Sequence, residues 1–378
     1  MIYLDNSATT KIDPEVVNAM LPYLNEEYGN PSSKYYNLAI TAKKSVDESR
    51  GKIAQLIHSN DDEIIFTSGA SESNNFIIKG IADYLHIEKS LGNHIVVSKV
   101  EHKSILEPCK WLEKRGYKIT YLEVNKYGQI EPEILANAIT QDTILASIVW
   151  GNNEIGTLNN IKTLSSICKE KNIFFHSDAT QVLGKVDINT RDIAADFLSF
   201  SAHKLYGPKG IGACFIRKTK LGLKQKITPL IHGGTQEGGY RAGTHAVHNI
   251  VGFGKACEIA TRDMKEYIPR ILENETVFKK IFTDHFEKIA FNGHPDEKIP
   301  GIISMTIPSI SNELLIRKLK DSIAISTGSA CSISEPSHVL SAIGLAPSLI
   351  SSTLRVSLSK YTDYLVDSNK IIESLSTV

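Results

Sequence analysis

Between residues 63 and 216, short and nearly continuous apolar runs alternate with helical stretches. Residues 63–66, 95–97, 119–121, 143–149, 173–176, 196–200 and 211–216 read as strands. Helices are expected from Thr67 to about Leu85 and over 104–114, 132–139 and 161–171. A strand that is apolar on both of its faces must be covered on both. Strands of that kind linked by helices form a mostly parallel sheet between helical layers. The alternation therefore restricts this part of the chain to an α/β architecture. Ligands on such sheets sit beyond the carboxyl ends of the strands. The polar residues that follow each apolar run are the ones to read for chemistry.

The flanks have a different rhythm. Asp13-Pro14 is a helix-start signal, and residues 14–24 are expected to be helical. A turn-like stretch, Tyr28-Gly29-Asn30-Pro31-Ser32-Ser33, leads to a helix over 35–57, with Ala39, Ala42, Val46, Ile53 and Leu56 near one face. After Gly233-Gly234 comes a long helix from Ala246 to about Phe286. Strands at 302–307, 323–326 and 351–357 follow, with helices at 312–319 and 363–375. A chain of 378 residues is long for one core. We expect a large domain over 14–255, and a small α/β domain made of 1–13 and 256–378.

Lysine plus arginine equals aspartate plus glutamate, 42 of each. With no net charge, no strong field draws the protein to nucleic acid or to an anionic membrane. The five cysteines are scattered, with no Cys-x-x-Cys pair, so neither a zinc site nor a disulfide framework is expected. Sparse, odd cysteines fit a reducing cytoplasm. The amino terminus lacks the basic and apolar regions of a signal peptide. No apolar run approaches the roughly 18 residues of a membrane span.

The segment Ser199-Phe200-Ser201-Ala202-His203-Lys204-Leu205-Tyr206-Gly207-Pro208-Lys209-Gly210 places Lys204 between two apolar strands. A partly desolvated amine favours its neutral form, which is the nucleophile that makes Schiff bases. Pyridoxal phosphate enzymes need such a lysine; a solvated hairpin lysine is the alternative. Gly69-Ala70-Ser71 lies between a strand and a helix, where free N–H groups and the helix dipole bind phosphate. A plain helix cap explains the same residues. His102, at a strand end, can stack on a flat cofactor and move protons, or be a polar loop residue. Asn152-Asn153 can hold a carboxylate or a substituent of a cofactor ring, which makes Asn153 a candidate for cofactor as well as substrate, or it can make a turn. Asp178 follows a strand and can pair with a pyridinium N–H or with a structural cation. Arg355, inside an apolar strand, suits a carboxylate ligand, an ion pair being the alternative. Cys331 lies among small residues, Ser329, Ala330 and Ser332, and is a candidate nucleophile. The alternatives weaken together, because these groups fall at strand ends on the side of Lys204.

With these motifs in place, the chain resembles a cysteine desulfurase of the NifS/IscS type, in the class V aminotransferase family of fold-type I pyridoxal phosphate enzymes. The resemblance runs through Leu4-Asp5-Asn6-Ser7-Ala8-Thr9-Thr10, Ser68-Gly69-Ala70-Ser71-Glu72, Asn152-Asn153-Glu154-Ile155-Gly156 and Asp178-Ala179-Thr180-Gln181. It continues through His203-Lys204, Arg241-Ala242-Gly243-Thr244, Gly328-Ser329-Ala330-Cys331 and Glu335-Pro336-Ser337-His338. It implies a seven-stranded-type sheet with a smaller carboxyl-terminal α/β domain. It also implies that Lys204 carries pyridoxal 5'-phosphate and that Ala70, Ser71, Ser201 and His203 bind the phosphate. Thr244 is implied to reach the phosphate of the partner subunit in a homodimer. By the same resemblance, Asp178 is implied to pair with the ring nitrogen, Gln181 with the ring oxygen, and His102 to stack on the ring. Asn153 and Arg355 are implied to hold the substrate carboxylate. No metal is implied.

The implied reaction turns L-cysteine into L-alanine. Lys204 and His102 move protons, Cys331 takes the sulfur as a persulfide, and a protein acceptor receives it. Iron–sulfur assembly, tRNA thiolation and DNA phosphorothioation are all compatible destinations. Several positions depart from the pattern. Ser71 replaces a threonine, and Thr235 and Gly238 interrupt a segment usually richer in glycine that carries a basic residue. The interval from Cys331 to Glu335 is short, and the chain stops soon after its last expected helix. Asn30 lies in a Gly-Asn-Pro-Ser motif without an assigned role. A selenocysteine lyase or an aminotransferase of the same fold is the rival enzyme reading, and an aminotransferase needs no cysteine at 331. A non-catalytic binding module would not need both Lys204 and Asp178.

Overall fold

The apolar runs pair into one seven-stranded sheet, in the order Ile64–Thr67, Gly212–Ile216, Phe197–Ser201, Phe174–Asp178, Thr143–Ser147, His94–Ser98, Lys118–Leu122. The computed structural model describes residues 1–308, 310–328, 336–362, 371 and 373. Only Gly212–Ile216 runs against its neighbours. The reason is the short connection 202–211, which returns as a hairpin; a parallel return needs a crossover of about a dozen residues or more. Every residue of Ile64–Thr67, His94–Ser98, Thr143–Ser147, Phe197–Ser201 and Gly212–Ile216 is buried, whereas the edge strand Lys118–Leu122 is largely half-buried.

Alternate residues of these strands feed two separate cores. Val96, Ala146, Phe175, Leu198 and Phe215 face the helices Asn37–Leu56 and Ile161–Glu170 and the start of Val247–His285. Ile95, Val97, Leu145, Phe197 and Cys214 face Ala70–Ala82 and Lys103–Glu113. The strand period of two thus accounts for both helical layers. A third core lies around the antiparallel strands Thr353–Ser357, Ile302–Thr306 and Ala290–Asn292 and the parallel pair Ile2–Tyr3 with Ile323–Ala324. The helix Val247–His285 serves two cores, with Ile250 and Phe253 in one and Tyr267, Phe278 and Phe282 in another. No helix among the described residues is long and apolar enough to cross a membrane.

Some expectations shift. The helix expected over 14–24 breaks into Pro14–Met20 and Pro22–Asn25. Pro22 lacks the N–H that would continue the first helix and takes the first position of the second. The strand expected over 351–357 begins at Thr353. The short helices His338–Ala342 and Pro347–Ile350 have too few residues to show a periodicity in sequence. The helix expected over 363–375 lies outside the described residues, apart from Ile371 and Glu373.

The segment after Gly233-Gly234 is tied to the sheet by one buried carboxylate. Glu237 has a left-handed backbone, with φ 50° and ψ 34°. Arg50 of Asn37–Leu56 grips both of its oxygens, at 2.7 and 2.8 Å. The backbone N–H of Phe66 donates to it at 2.8 Å, and His245 Nε2 lies 2.6 Å from it. The hydrogen bonds of Arg50 and His245 overcome burial and pull the carboxyl down to about 2. Removing one partner of such a pair strands a buried charge. Glu237→Ala is expected to cost roughly 3–5 kcal/mol, read as a lower melting temperature. The depressed carboxyl contributes its full stability above the unfolded value of 4.5 and loses it as pH falls toward 2. Wild type should therefore lose more stability than the variant over that acid range. Equal melting temperatures at neutral pH would mean that the pair is not a stabilising tie.

Candidate active site

The carboxyl ends of the parallel strands converge on a cavity of about 480 Å³. Glycine makes the convergence possible. A Cβ on Gly212 would lie 2.6 Å from Gly69 Cα and 2.4 Å from Phe200 O. Its absence lets the turn before Ala70–Ala82 lie against the hairpin, so that Ala70 and Ser71 line the same cavity as Ser201, His203 and Lys204. No side chain caps the start of that helix. Its first N–H groups are the unsatisfied donors that an anion can take.

Lys204 sits in the short turn Ala202–Lys204, directly after the strand Phe197–Ser201. Its Nζ donates to the carbonyls of Ser7 at 2.5 Å and Ala8 at 2.6 Å. The amino-terminal segment thus crosses the cavity beside the lysine. His203 Nδ1 lies 3.1 Å from Thr9 Oγ1. Burial, reinforced by Lys204, Lys209 and Lys185, pushes His203 down to about 4, so its ring is neutral at pH 7.

Asp178 ends the strand Phe174–Asp178 and is buried. Its Oδ2 accepts from Asn74 Nδ2 at 2.7 Å, and its Oδ1 accepts from the N–H of Thr180 at 3.0 Å. Asn74 comes from the helix Ala70–Ala82, one turn after Ala70, and also donates to Ser104 Oγ at 2.8 Å. Ser104 in turn holds His102: its N–H and Oγ lie 3.1 and 2.8 Å from His102 Nδ1. A continuous chain of hydrogen bonds therefore joins Asp178, Asn74, Ser104 and His102. Sequence reasoning missed Asn74 and Ser104. The available signal for Asn74 was its place one helical turn beyond the phosphate-type turn, where side chains share a face.

Neighbouring Glu101 accepts from Ser98 Oγ at 2.5 Å and from the N–H of Val149 at 2.7 Å. Burial outweighs these bonds and pushes its carboxyl up to about 8. Its carbonyl accepts from His338 Nε2 at 2.9 Å, and His338 also lines the cavity. Arg355, 2% exposed, extends its guanidinium to Asp5 Oδ1 at 2.7 Å and to the carbonyls of Asn153 and Gly328, each at 3.1 Å. Both Asn153 and Arg355 line the cavity; both hydrogens of Nη1 are taken by carbonyls, and one of Nη2 by Asp5. Nε is buried without a partner. Gln181 also lines the cavity, with Nε2 donating to Ser7 O at 3.0 Å. Thr244 is exposed and outside the cavity, as is Asn30, whose Oδ1 accepts from the N–H of Ser32. Cys331 lies outside the described residues, while Gly328 before it and His338 after it line the cavity. Among the described residues no group of histidine, cysteine, aspartate and glutamate has a metal-binding arrangement.

The tautomer of His102 follows from these contacts. A backbone N–H donates to Nδ1, so the proton of the neutral ring sits on Nε2. Burial lowers the His102 pKa, and the opposing pull of Asp178 does not reverse this. Nitrogen-15 NMR of the apoprotein at pH 7 should show a neutral ring protonated at Nε2. A ring protonated at Nδ1 would contradict the geometry.

The aminotransferase class-V family matches residues 2–364. The chain is 44% identical over 386 residues to the cysteine desulfurase IscS of Dictyoglomus turgidum, covering 100% of this chain and 96% of that one. It is 45% identical over 363 residues to the cysteine desulfurase IscS of Methanosarcina thermophila, covering 95% and 87%. Among solved structures it is similar to a NifS-like protein, with 34% identity, a TM-score of 0.91 and 100% of each chain covered. It is also similar to SspA in complex with cysteine, with 35% identity, a TM-score of 0.84, and 96% and 100% covered. A match over nearly the whole length, joined to this cavity at the strand ends, places the chain in the class-V aminotransferase family, among the IscS- and NifS-type cysteine desulfurases.

Proposed function

We propose that the protein is a pyridoxal phosphate-dependent cysteine desulfurase. It takes sulfur from L-cysteine, releases L-alanine, and carries the sulfur on Cys331 before passing it to a protein acceptor. The observation that carries this reading is the convergence of Lys204, Asp178, His102 and an uncapped helix start on one cavity.

The residues fit the cofactor. The helix start at Ala70 and Ser71, with Ser201 and His203, offers donors for a phosphate. Asp178 is a buried carboxylate held by two donors, suited to a pyridinium N–H. Gln181 would donate to the ring oxygen, His102 would stack on the ring, and Lys204 would anchor the cofactor. When bound, pyridoxal phosphate supplies an electron sink for negative charge at the substrate Cα. Asn74 and the N–H of Thr180 keep Asp178 oriented. Lys204 Nζ and His102 Nε2 are the atoms that hold and move protons. Asn153 and Arg355 supply polar groups for the substrate carboxylate; releasing an Arg355 nitrogen from Asp5 would free one arm of the fork.

Sulfur transfer needs a reachable thiol. The four other cysteines, Cys109, Cys168, Cys214 and Cys257, are buried, and desolvation pushes all four thiols well up, Cys168 to about 12. Their thiolates are not accessible at neutral pH. Chain connectivity limits position 331 to within about 11 Å of Gly328, at most 3.6 Å per residue. The Cys331 thiolate attacks the substrate sulfur and the carbon–sulfur bond breaks. The bonding pair stays with the carbon skeleton, which takes up a proton and leaves as alanine.

Thr244 is exposed and outside its own cavity, on the segment tied down by Glu237, which suits donation to the phosphate of a second copy. The working form is then a homodimer. Residues 14–255 form its cofactor-binding domain, and 1–13 with 256–378 form its small domain. Free thiols and the absence of charge bias fit a cytoplasmic enzyme.

Two measurements test the reading. Borohydride added to the yellow protein should fix a pyridoxyl group on Lys204, and labelling of a different lysine would refute the assignment. Cys331→Ser should still change the cofactor spectrum on addition of L-cysteine while alanine output falls to background. Normal alanine output would remove Cys331 from the reaction.

A further inference from the structure

The turn after Asp178 carries another lysine, Lys185, four residues beyond Gln181. Its Nζ donates to Gln181 Oε1 at 3.2 Å. On the other side of the same amide, Nε2 donates to Ser7 O. The amide oxygen and the Ser7 carbonyl can only accept, so both contacts orient the amide the same way. The amide nitrogen has two hydrogens. One is taken by Ser7, and the second remains for the cavity that Gln181 lines.

The surroundings of Lys185 are not those of a structural ion pair. The charged groups acting on it are Lys204, from the turn after Phe197–Ser201, and Arg355, from Thr353–Ser357; both are cations. His203 senses Lys185 as a further positive charge. Tyr267, from the long helix, donates to the carbonyl of the adjacent Gly184. Among the described residues no carboxylate pairs with Lys185, whereas Arg355 has Asp5. Desolvation first, and then Lys204 and Arg355, push the amine down to about 7. A desolvated lysine among cations is costly, and such arrangements concentrate at functional sites.

We infer that Lys185 is a positioning residue: it holds Gln181 as a donor toward the cofactor's ring oxygen, and in its charged form it disfavours a proton on the Lys204 nitrogen. The inference rests on the cofactor reading above. Lys185→Met removes one of the two contacts that hold the Gln181 amide, together with the cation, and the two losses act in the same direction. With Gln181 held less firmly as a donor, the ring oxygen becomes more basic and holds a neighbouring proton better. Without the cation the proton on the Lys204 nitrogen is repelled less.

The test is a pH titration of the absorbance of the cofactor-loaded protein, together with pyridoxal phosphate binding to the apoprotein. In Lys185→Met the titration should move upward by about half a pH unit or more. Binding should weaken by about tenfold. Lys185→Arg, which keeps both charge and donor, should return both readouts toward wild type. If Lys185→Met does not fold, Lys185→Gln carries the test, with the titration still shifted and the affinity largely kept. A wild-type protein that takes up no pyridoxal phosphate overturns the cofactor reading and this inference together. A wild type that binds it, with Lys185→Met titrating and binding identically, overturns this inference alone. So does an arginine variant that restores neither readout.

Discussion

A strand buried on both faces can present polar groups only at its ends. That constraint shapes the whole molecule. Five strands of the sheet are buried along their length, and the residues between the helical layers are apolar or hydrogen-bonded within the sheet. Six of the seven strands point the same way, so their ends collect the polar residues on one side. Asp178, His102, Lys204 and the start of Ala70–Ala82 share a cavity for this reason. The hairpin that reverses Gly212–Ile216 is the one exception to the parallel order, and it carries Lys204 in its connection.

The polar cluster at the strand ends is stable only because its members satisfy one another. Burying an unpaired carboxylate costs several kcal/mol. Two donors at 2.7 and 3.0 Å, each contributing roughly 1.5–3 kcal/mol to a charged acceptor, offset most of that for Asp178. Glu101, 0% exposed, also has two donors, but both reach one oxygen and the other is unpartnered, and burial pushes its carboxyl up to about 8. His102 is held between them as a neutral ring, with its exchangeable proton on Nε2.

The amino-terminal segment links the two halves of the site. Asp5 meets Arg355, Ser7 and Ala8 receive Lys204, Ser7 receives Gln181, and Thr10 accepts from the N–H of Tyr206. Arg355 also binds the carbonyls of Asn153 and Gly328, so the sheet's turn and the start of the cysteine-bearing segment meet at one guanidinium. The alternatives of a ligand-binding arginine and an ion-paired one therefore coexist in one side chain: Arg355 lines the cavity while its guanidinium is bound to Asp5 and two carbonyls.

Much of this was legible in the chain itself. Apolar runs spaced by helices fix a covered sheet, because burial of both faces is a local property of composition. Gly69-Ala70-Ser71, Asp178 and Lys204 were legible because each follows a strand directly. The break at Pro22 and the short helices near Pro347 were not, since a few residues carry no periodicity. Nor were Asn74, Ser104 and Lys185, because their partners are distant in sequence or lie on a turn without a pattern. Asn74 meets Asp178 across 104 positions, and Ser7 meets Lys204 across 197. Sequence alone determined which residue types end the strands. Tertiary structure decided which of them are ionised and how they are oriented, because hydrogen bonding and desolvation depend on neighbours that only the folded chain brings together.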